Sequence, residues 1–183
     1  AALGPLPLVA EDLGVITPEV DALRLELGMP GMKVIQFGFS DKSAHIHLPH
    51  AYTPATVAYT GTHDNDTTQG WWKAAGEQER AAVEAYVGPA PVMDGVAGPV
   101  WALIRATAAS VARMAVFPLQ DLLELGSEAR MNTPAVATGN WSWRAPEGCL
   151  TAELRARLAA LVDVTDRDND PLGGAEESMA AGN

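Results

Sequence analysis

The chain has 183 residues, 48% of them apolar, with a formal net charge of −11 and one cysteine. That is the size of one domain with enough apolar content for a core, and its acidity argues against DNA, RNA or an anionic membrane surface as partner. No apolar run approaches the roughly 20 residues of a spanning helix, no basic stretch followed by an apolar one marks a signal peptide, and Cys149 alone allows neither an internal disulfide nor a Cys-built zinc site; a reducing, cytoplasmic setting follows.

The opening Ala1-Ala-Leu-Gly-Pro5 has no Met and no leading element, so the chain is expected to be a piece of something longer. The first predicted strand is Leu6–Ala10, an apolar run that ends in Glu11-Asp12 before Gly14. A helix is predicted from Pro18 to Leu27, with Thr17 as cap, Pro18 at its first position and Gly28 as stop. Val20, Leu23 and Leu27 give it an apolar stripe. The second strand is Lys33–Phe39, apolar almost throughout as a strand covered on both faces should be, with Asp41 just beyond it. A loop with His45 and Pro54 leads to the third strand, Thr56–Thr60, which runs into Gly61-Thr62-His63-Asp64-Asn65-Asp66. Residues 68–87 read as one helix, Gly88 to Pro91 as a break, and Pro99–Arg113 as a long helix with Val100, Leu103, Ile104, Thr107 and Val111 on one side. The fourth strand, Ala115–Pro118, leads to Gln120-Asp121 and a short helix, Leu122–Leu125. Beyond an extended stretch with turns (131–143), a last helix from Thr151 to Val162 carries Leu154, Leu158, Leu161 and Val162 on its apolar face, and a tail from Asp168 has a disordered composition.

Strands that alternate with helices imply parallel βαβ units. In each predicted unit the polar residues follow the strand: Glu11, Asp41, His63-Asp64 and Gln120-Asp121. Parallel strands share one C-terminal rim, so these groups converge, in a barrel or in an open doubly wound sheet. No Gly-x-Gly-x-x-Gly follows the first strand, which argues against a dinucleotide cofactor.

Several carboxylates, one His and no basic cluster suggest proton transfer to a neutral, polyhydroxylated substrate. Glycoside chemistry fits: it needs one carboxylic acid kept protonated by an apolar setting and other carboxylates beside an oxocarbenium-like centre. Glu11 follows Leu8-Val9-Ala10, whose cover would raise its pKa by desolvation, and His63 and Asp64 suit neighbouring sugar hydroxyls. Phosphate and metal enzymes on barrels share the rim pattern.

Ala10-Glu11-Asp12-Leu13-Gly14 with Thr17-Pro18, Met32-Lys33-Val34-Ile35-Gln36-Phe37, Tyr59-Thr60-Gly61-Thr62-His63-Asp64-Asn65-Asp66, Gln120-Asp121, Arg130-Met131-Asn132-Thr133-Pro134 and Gly139-Asn140-Trp141-Ser142-Trp143-Arg144 resemble, in this order, the 4-alpha-glucanotransferases (amylomaltase or disproportionating enzyme, glycoside hydrolase family 77). The resemblance implies an alpha-amylase-type (β/α)8 TIM barrel, with residues 1–167 as strands five to eight and their helices and 168–183 as an acidic Gly/Ala-rich tail. It implies a retaining double displacement on maltooligosaccharides or other alpha-1,4-glucans, without cofactor or metal. Carried over by motif, Glu11 is the general acid/base at the end of strand five, and Asp64 at the end of strand seven stabilises the transition state beside His63. Asp41 and Asn132 contact glucan, and Phe37 lines the site. A retaining enzyme also needs a nucleophile roughly 5 Å from the acid/base. In the family it is an Asp in an Arg-x-Asp setting on strand four, N-terminal to everything here, so the chain alone is expected to be inactive. The competing readings are a non-catalytic glucan-binding module and a metal-dependent hydrolase on a barrel. A half barrel also leaves open sheet edges, with self-association or poor solubility as the expectation.

Each residue has a structural alternative. Glu11 is alternatively a strand-end acid capping a turn. Asp12 is expected to point away from Glu11 and serve structure, and Asp66 and Asp121 to be local hydrogen-bond partners or helix caps. His45, His47 and His50 are expected to be ordinary loop residues, Trp71 and Trp72 to pack the core or a groove, and Trp141 and Trp143 to pack the turn under the site.

Overall fold

A computed structural model describes residues 7–89, 92–93 and 96–168. Compact units divide at Glu147–Gly148. The first holds a parallel sheet of three strands in the order β1 (Gly31–Val34), β2 (Thr56–Tyr59), β5 (Met114–Val116), with β2 in the centre. Gly31 pairs with Thr56 and Val34 with Tyr59; Val57 pairs with Met114 and Tyr59 with Val116. Two-residue strands β3 (Val92–Met93) and β4 (Val96–Ala97) form a separate antiparallel pair, which the break expected there did not foresee. β2 buries Thr56, Val57 and Ala58, as a central parallel strand covered on both faces must.

Three predicted strands are found and the first is not. Leu6 lies outside the described residues, and 7–10 is irregular chain with Leu8 and Val9 exposed. Pro7 has no N–H to give to a ladder, and the segment makes one strand-like contact, Ala10 N–H to the Pro30 carbonyl at 2.9 Å. The second strand is also shorter than predicted. After Val34 the chain winds into a 3₁₀ turn, Ile35–Phe39, which buries Ile35, Gln36, Gly38 and Phe39 by coiling and leaves Phe37 exposed. Two approaches fix that turn: a Cβ on Gly38 would strike the Leu48 side chain, and the buried Gln36 amide donates to Thr68 Oγ1 at 3.1 Å and to the Asp66 carbonyl at 3.2 Å.

Helix α1 is Pro18–Glu26. Its expected stripe stands in solvent: Val20, Leu23 and Leu27 are each more than half exposed, and Thr17 makes no side-chain cap bond. Gly28 stops it as expected, at φ +66°, where a side chain is disfavoured. The helix expected over 68–87 is two helices, α2 (Thr68–Ala74) and α3 (Glu77–Val87), parted at Ala75-Gly76. The long helix is α4 (Val100–Ala108), with Val100, Leu103, Ile104, Thr107 and Ala108 buried at helical spacing. It ends before Val111, which is exposed, and the Ser110 hydroxyl donates to the Thr107 carbonyl at 2.7 Å in the closing turn. The short helix starts three residues earlier than predicted, as α5 (Leu119–Leu122), because Pro118 opens it. In the second unit, α6 (Ala152–Val164) is capped by Thr151, whose hydroxyl accepts the Leu154 N–H at 3.1 Å. Its expected stripe is buried at Leu154 and Leu161 and half-buried at Leu158 and Val162. The tail read as disordered lies, from residue 169, outside the described residues.

The core of the first unit is Ile35, Phe39, Leu48, Trp72, Val83 and Leu103, with Trp71 and Tyr86 packed against it, as expected of the two early tryptophans. Beside it lies a buried polar chain. Asp121, fully buried, accepts the Thr60 hydroxyl (2.6 Å), the Thr68 hydroxyl (2.8 Å) and the Thr68 N–H (2.7 Å). It thereby ties the end of β2 to the first turn of α2.

Burial pushes the Asp121 carboxyl above its ordinary value of 3.8, against hydrogen bonds from Thr60 and Thr68 that pull it down. The stability it contributes is therefore fully present below 3.8 and is lost as pH rises through the raised folded value. Asp121→Asn, which cannot ionise, removes that dependence. In urea unfolding across a pH series, the stability of the native chain relative to the variant is expected to shrink as pH rises through this window. Asp121→Ala leaves two hydroxyls and an amide without their acceptor and is expected to cost about 3 kcal/mol.

Candidate active site

A cleft of about 650 Å³ opens at the C-terminal ends of the parallel strands. β1 leads to Phe37, β2 carries Tyr59 and leads to Gly61 through Thr67, and β5 leads to Phe117, Pro118 and Gln120; Glu11, Arg130 and Met131 complete the wall. The cleft brings together four of the predicted residues: Glu11, Phe37, His63 and Asp64. Asp41 lies apart. It lines a neighbouring hollow of about 480 Å³ with Trp71 and Glu79, and Phe37 stands between the two spaces. Asn132 reaches the cleft through Asp64, to which its Nδ2 donates at 2.6 Å.

The loop that carries Asp64 is held from beneath. A Cβ on Gly61 would come within 2.9 Å of the Gln36 amide, so glycine lets the two chains meet. Thr62 donates both its N–H (2.9 Å) and its hydroxyl (2.8 Å) to Asn65 Oδ1, closing a turn. Asp66 accepts its neighbour's Thr67 N–H (2.8 Å), the local role expected of it, and also the hydroxyl of the distant Ser127 (2.7 Å), which was not expected. The Thr67 hydroxyl accepts the Gly70 N–H at 3.0 Å and caps α2.

Above this floor, His63 and Asp64 are half exposed with Nε2 and Oδ1 3.3 Å apart. Trp141 lies against the His63 ring at a centroid distance of 5.1 Å. It is itself half exposed, so it flanks the site and does not pack under it as expected. Its backbone has φ +61°, an uncommon angle for a non-glycine residue, and its N–H is tied to the Met131 carbonyl at 2.6 Å. Trp143 and Trp141 both offer their carbonyls to Arg144.

Glu11 and Asp12 divide as expected. Glu11 faces the cleft, but it is exposed on the rim and lacks the apolar enclosure that Leu8 to Ala10 were expected to give. The Asp12 carboxylate turns inward, accepts the Met32 N–H at 2.6 Å, and sits 3.7 Å from Arg24 and 3.9 Å from Lys33. It presses so closely on Gly31 that a Cβ there would collide with it. Asp12 thus pins the Glu11 segment to the start of β1.

Asp41 caps the 3₁₀ turn Lys42–His47, with Oδ1 accepting Ser43 N–H (2.7 Å), the Ser43 hydroxyl (2.5 Å) and Ala44 N–H (3.3 Å). The Ser43 hydroxyl, then the Ser43 amide, holds its carboxyl below the ordinary range. The three loop histidines have protein partners. His47 Nδ1 accepts the Val34 N–H at 3.3 Å and its ring meets Phe37 edge-on, while burial and then Lys33 push its pKa down. His50 contacts Tyr86 Oη at 3.2 Å and lies edge-on to His45.

Sequence reasoning did not single out Tyr59 or Arg130 as site residues, and both line the cleft; Gln120, expected on the rim with Asp121, lines it too, whereas Asp121 is buried beneath. Gln120 was legible as the strand-end neighbour of Asp121; Arg130 offered its charge beside a cluster of acids.

A model of the 4-alpha-glucanotransferase family, glycoside hydrolase 77, matches residues 1–151. The chain is 51% identical over 168 residues to the 4-alpha-glucanotransferase of Thermus thermophilus, covering 90% of this chain and 33% of that protein. It is 44% identical over 163 residues to the chloroplastic/amyloplastic 4-alpha-glucanotransferase of Solanum tuberosum (89% and 28%). Among solved structures it resembles the amylomaltase from Streptococcus agalactiae in complex with acarbose, at TM-score 0.83 and 35% identity over 90% of this chain and 33% of that one. The chain therefore spans about a third of the length of such relatives.

The Asp12 pin yields a stability test. Asp12→Ala strands the Met32 amide and two cations and is expected to destabilise the chain by about 2 kcal/mol. Asp12→Asn, which keeps an acceptor for Met32, is expected to lose less than half of that, measured by urea unfolding at neutral pH.

Proposed function

Because the chain belongs to the 4-alpha-glucanotransferase family, glycoside hydrolase 77, we propose that it supplies one side of the active site for retaining transfer of alpha-1,4-glucan chains between maltooligosaccharides. The observation that carries the proposal is a single cleft at the sheet's C-terminal rim with Glu11 and Asp64 both on its wall. Its other walls suit a neutral sugar chain: Phe37, Tyr59 and Phe117 offer aromatic faces, and the half-exposed His63 offers hydrogen bonds. The relative from Streptococcus agalactiae that holds acarbose supports an oligosaccharide as the occupant.

In this reading Glu11 protonates the glycosidic oxygen as the C1–O bond breaks, and a carboxylate nucleophile forms the glycosyl–enzyme bond at C1. Glu11, now a carboxylate, takes the proton from the acceptor hydroxyl that displaces the enzyme from C1. Asp64 holds sugar hydroxyls and balances the positive charge that develops at the ring, with His63 beside it. Asp41, Asn132 and Phe37 are assigned to glucan contacts flanking the cleavage point. The nucleophile comes, on this proposal, from outside these 183 residues, and the three-stranded sheet is part of a (β/α)8 barrel that other strands complete. A cytoplasmic setting belongs to the same proposal; among the described residues no helix is long and apolar enough to cross a membrane.

Disproportionation of maltotriose tests the assignment. In the complete polypeptide, Glu11→Gln and Asp64→Asn are each expected to lower kcat by about 10³-fold. The 183-residue chain alone is expected to show no turnover above its Glu11→Ala control; turnover above that control sinks the divided-site reading. Glucan binding by this chain without turnover in either form identifies a binding module instead. Its open edges β1 and β5, with Met114 exposed on the latter, are expected to make the isolated chain self-associate, which light scattering reads; a monodisperse monomer refutes it.

A further inference from the structure

We propose that Arg130 is the positioning residue of Asp64, holding the carboxylate at the cleft by bonding two loops at once. The inference rests on the reading of Asp64 as a catalytic group. Arg130 follows the 3₁₀ turn Ser127–Ala129, 66 residues along the chain from Asp64. Its Nη2 donates to the Asp64 carbonyl at 2.7 Å and its Nε to the Asn132 carbonyl at 2.7 Å. The second bond steers a second hand. Asn132, so held, donates Nδ2 to Asp64 Oδ1 at 2.6 Å and its N–H to the His63 carbonyl at 3.1 Å. Arg130 therefore fixes Asp64 twice, directly at the backbone and through Asn132 at the side chain.

The clamp has a firm base. The Ser127 hydroxyl donates to Asp66 Oδ2 at 2.7 Å, and the buried Gln120 amide donates to the Ala129 carbonyl at 3.2 Å. Without the guanidinium, the half-exposed Asp64 keeps the turn bonds of its own loop but loses the cross-loop bond to its carbonyl. Asn132 loses the bond that aims its amide. Lysine does not substitute fully, because one ammonium on a flexible stem lacks the planar fork that serves two carbonyls together. Asn132, assigned above to glucan, acts in this account through Asp64.

The test measures kcat, KM and Tm in the complete polypeptide with maltotriose. Arg130→Ala is expected to lower kcat about 100-fold with KM and Tm nearly unchanged, and Arg130→Lys to recover part of the loss. Asn132→Ala alone is expected to lower kcat, and the double variant to be no worse than Arg130→Ala, since both act on one group. A rise in KM with kcat intact overturns the proposal and makes Arg130 a glucan ligand. A fall in Tm with kcat intact overturns it and makes the clamp merely structural, as does full additivity of the two substitutions. If Arg130→Ala does not fold, Arg130→Lys, which keeps charge and stem, gives the same kcat-against-KM split. Asp64→Asn at native kcat instead sinks the reading of Asp64 itself, a result separate from every outcome for Arg130.

Discussion

The site depends on a carboxylate that never meets solvent. Asp121 is fully buried, and burial alone would expel its charge, so the fold must surround it with donors. Those donors are Thr60, from the end of the central strand, and Thr68, from the start of α2. Fixing those two residues fixes both ends of the seven-residue loop between them, which carries His63 and Asp64. A loop of mobile polar residues would hold a carboxylate loosely; this one is stapled at both ends from below.

The staple extends sideways. Thr68 Oγ1 donates to Asp121 and accepts from Gln36, whose amide also reaches the Asp66 carbonyl. Gln36 lies in the 3₁₀ turn that ends β1, so the neighbouring strand's exit is fixed by the same chain of bonds. Such a network stabilises only when every member is satisfied, and that requirement explains Gly61: any side chain there would push the Gln36 amide out of place. From sequence Gly61 is merely part of a motif. In the structure it is the gap through which one loop grips another.

Much of this was legible, and what was not had physical causes. Parallel strands at β1, β2 and β5 were readable because their apolar runs are bounded by turn residues, and the rim location of His63-Asp64 followed from strand direction alone. The buried face of α4 was readable from spacing, but its end was not, since Ser110 turns the backbone where apolar periodicity continues to Val111. Apolar content could not tell an extended Ile35-Gln36-Phe37-Gly38-Phe39 from a coiled one, because a short apolar run is compatible with either backbone. It also misjudged Leu8, Val9 and the α1 stripe, which have apolar composition but no packing surface within this unit to meet. The division of labour around Asp64 was beyond sequence reasoning altogether, since Arg130 and Asn132 lie 66 and 68 residues from it in the chain.

Two of the three polar pairs on this rim split in the same way. Glu11 faces the cleft while Asp12 turns under to Met32, and Gln120 faces the cleft while Asp121 turns under to Thr60. One residue of each pair meets the ligand space and its neighbour anchors the backbone that presents it. His63-Asp64 breaks the pattern: both side chains face the cleft. They sit in a turn, where successive side chains are not forced to opposite sides, so neither can reach under to anchor its own backbone. The anchoring must then come from another loop, and Arg130 with Asn132 supplies it. A pair that spends both members on the cleft needs a clamp from elsewhere, and the cross-loop bonds are found at that pair.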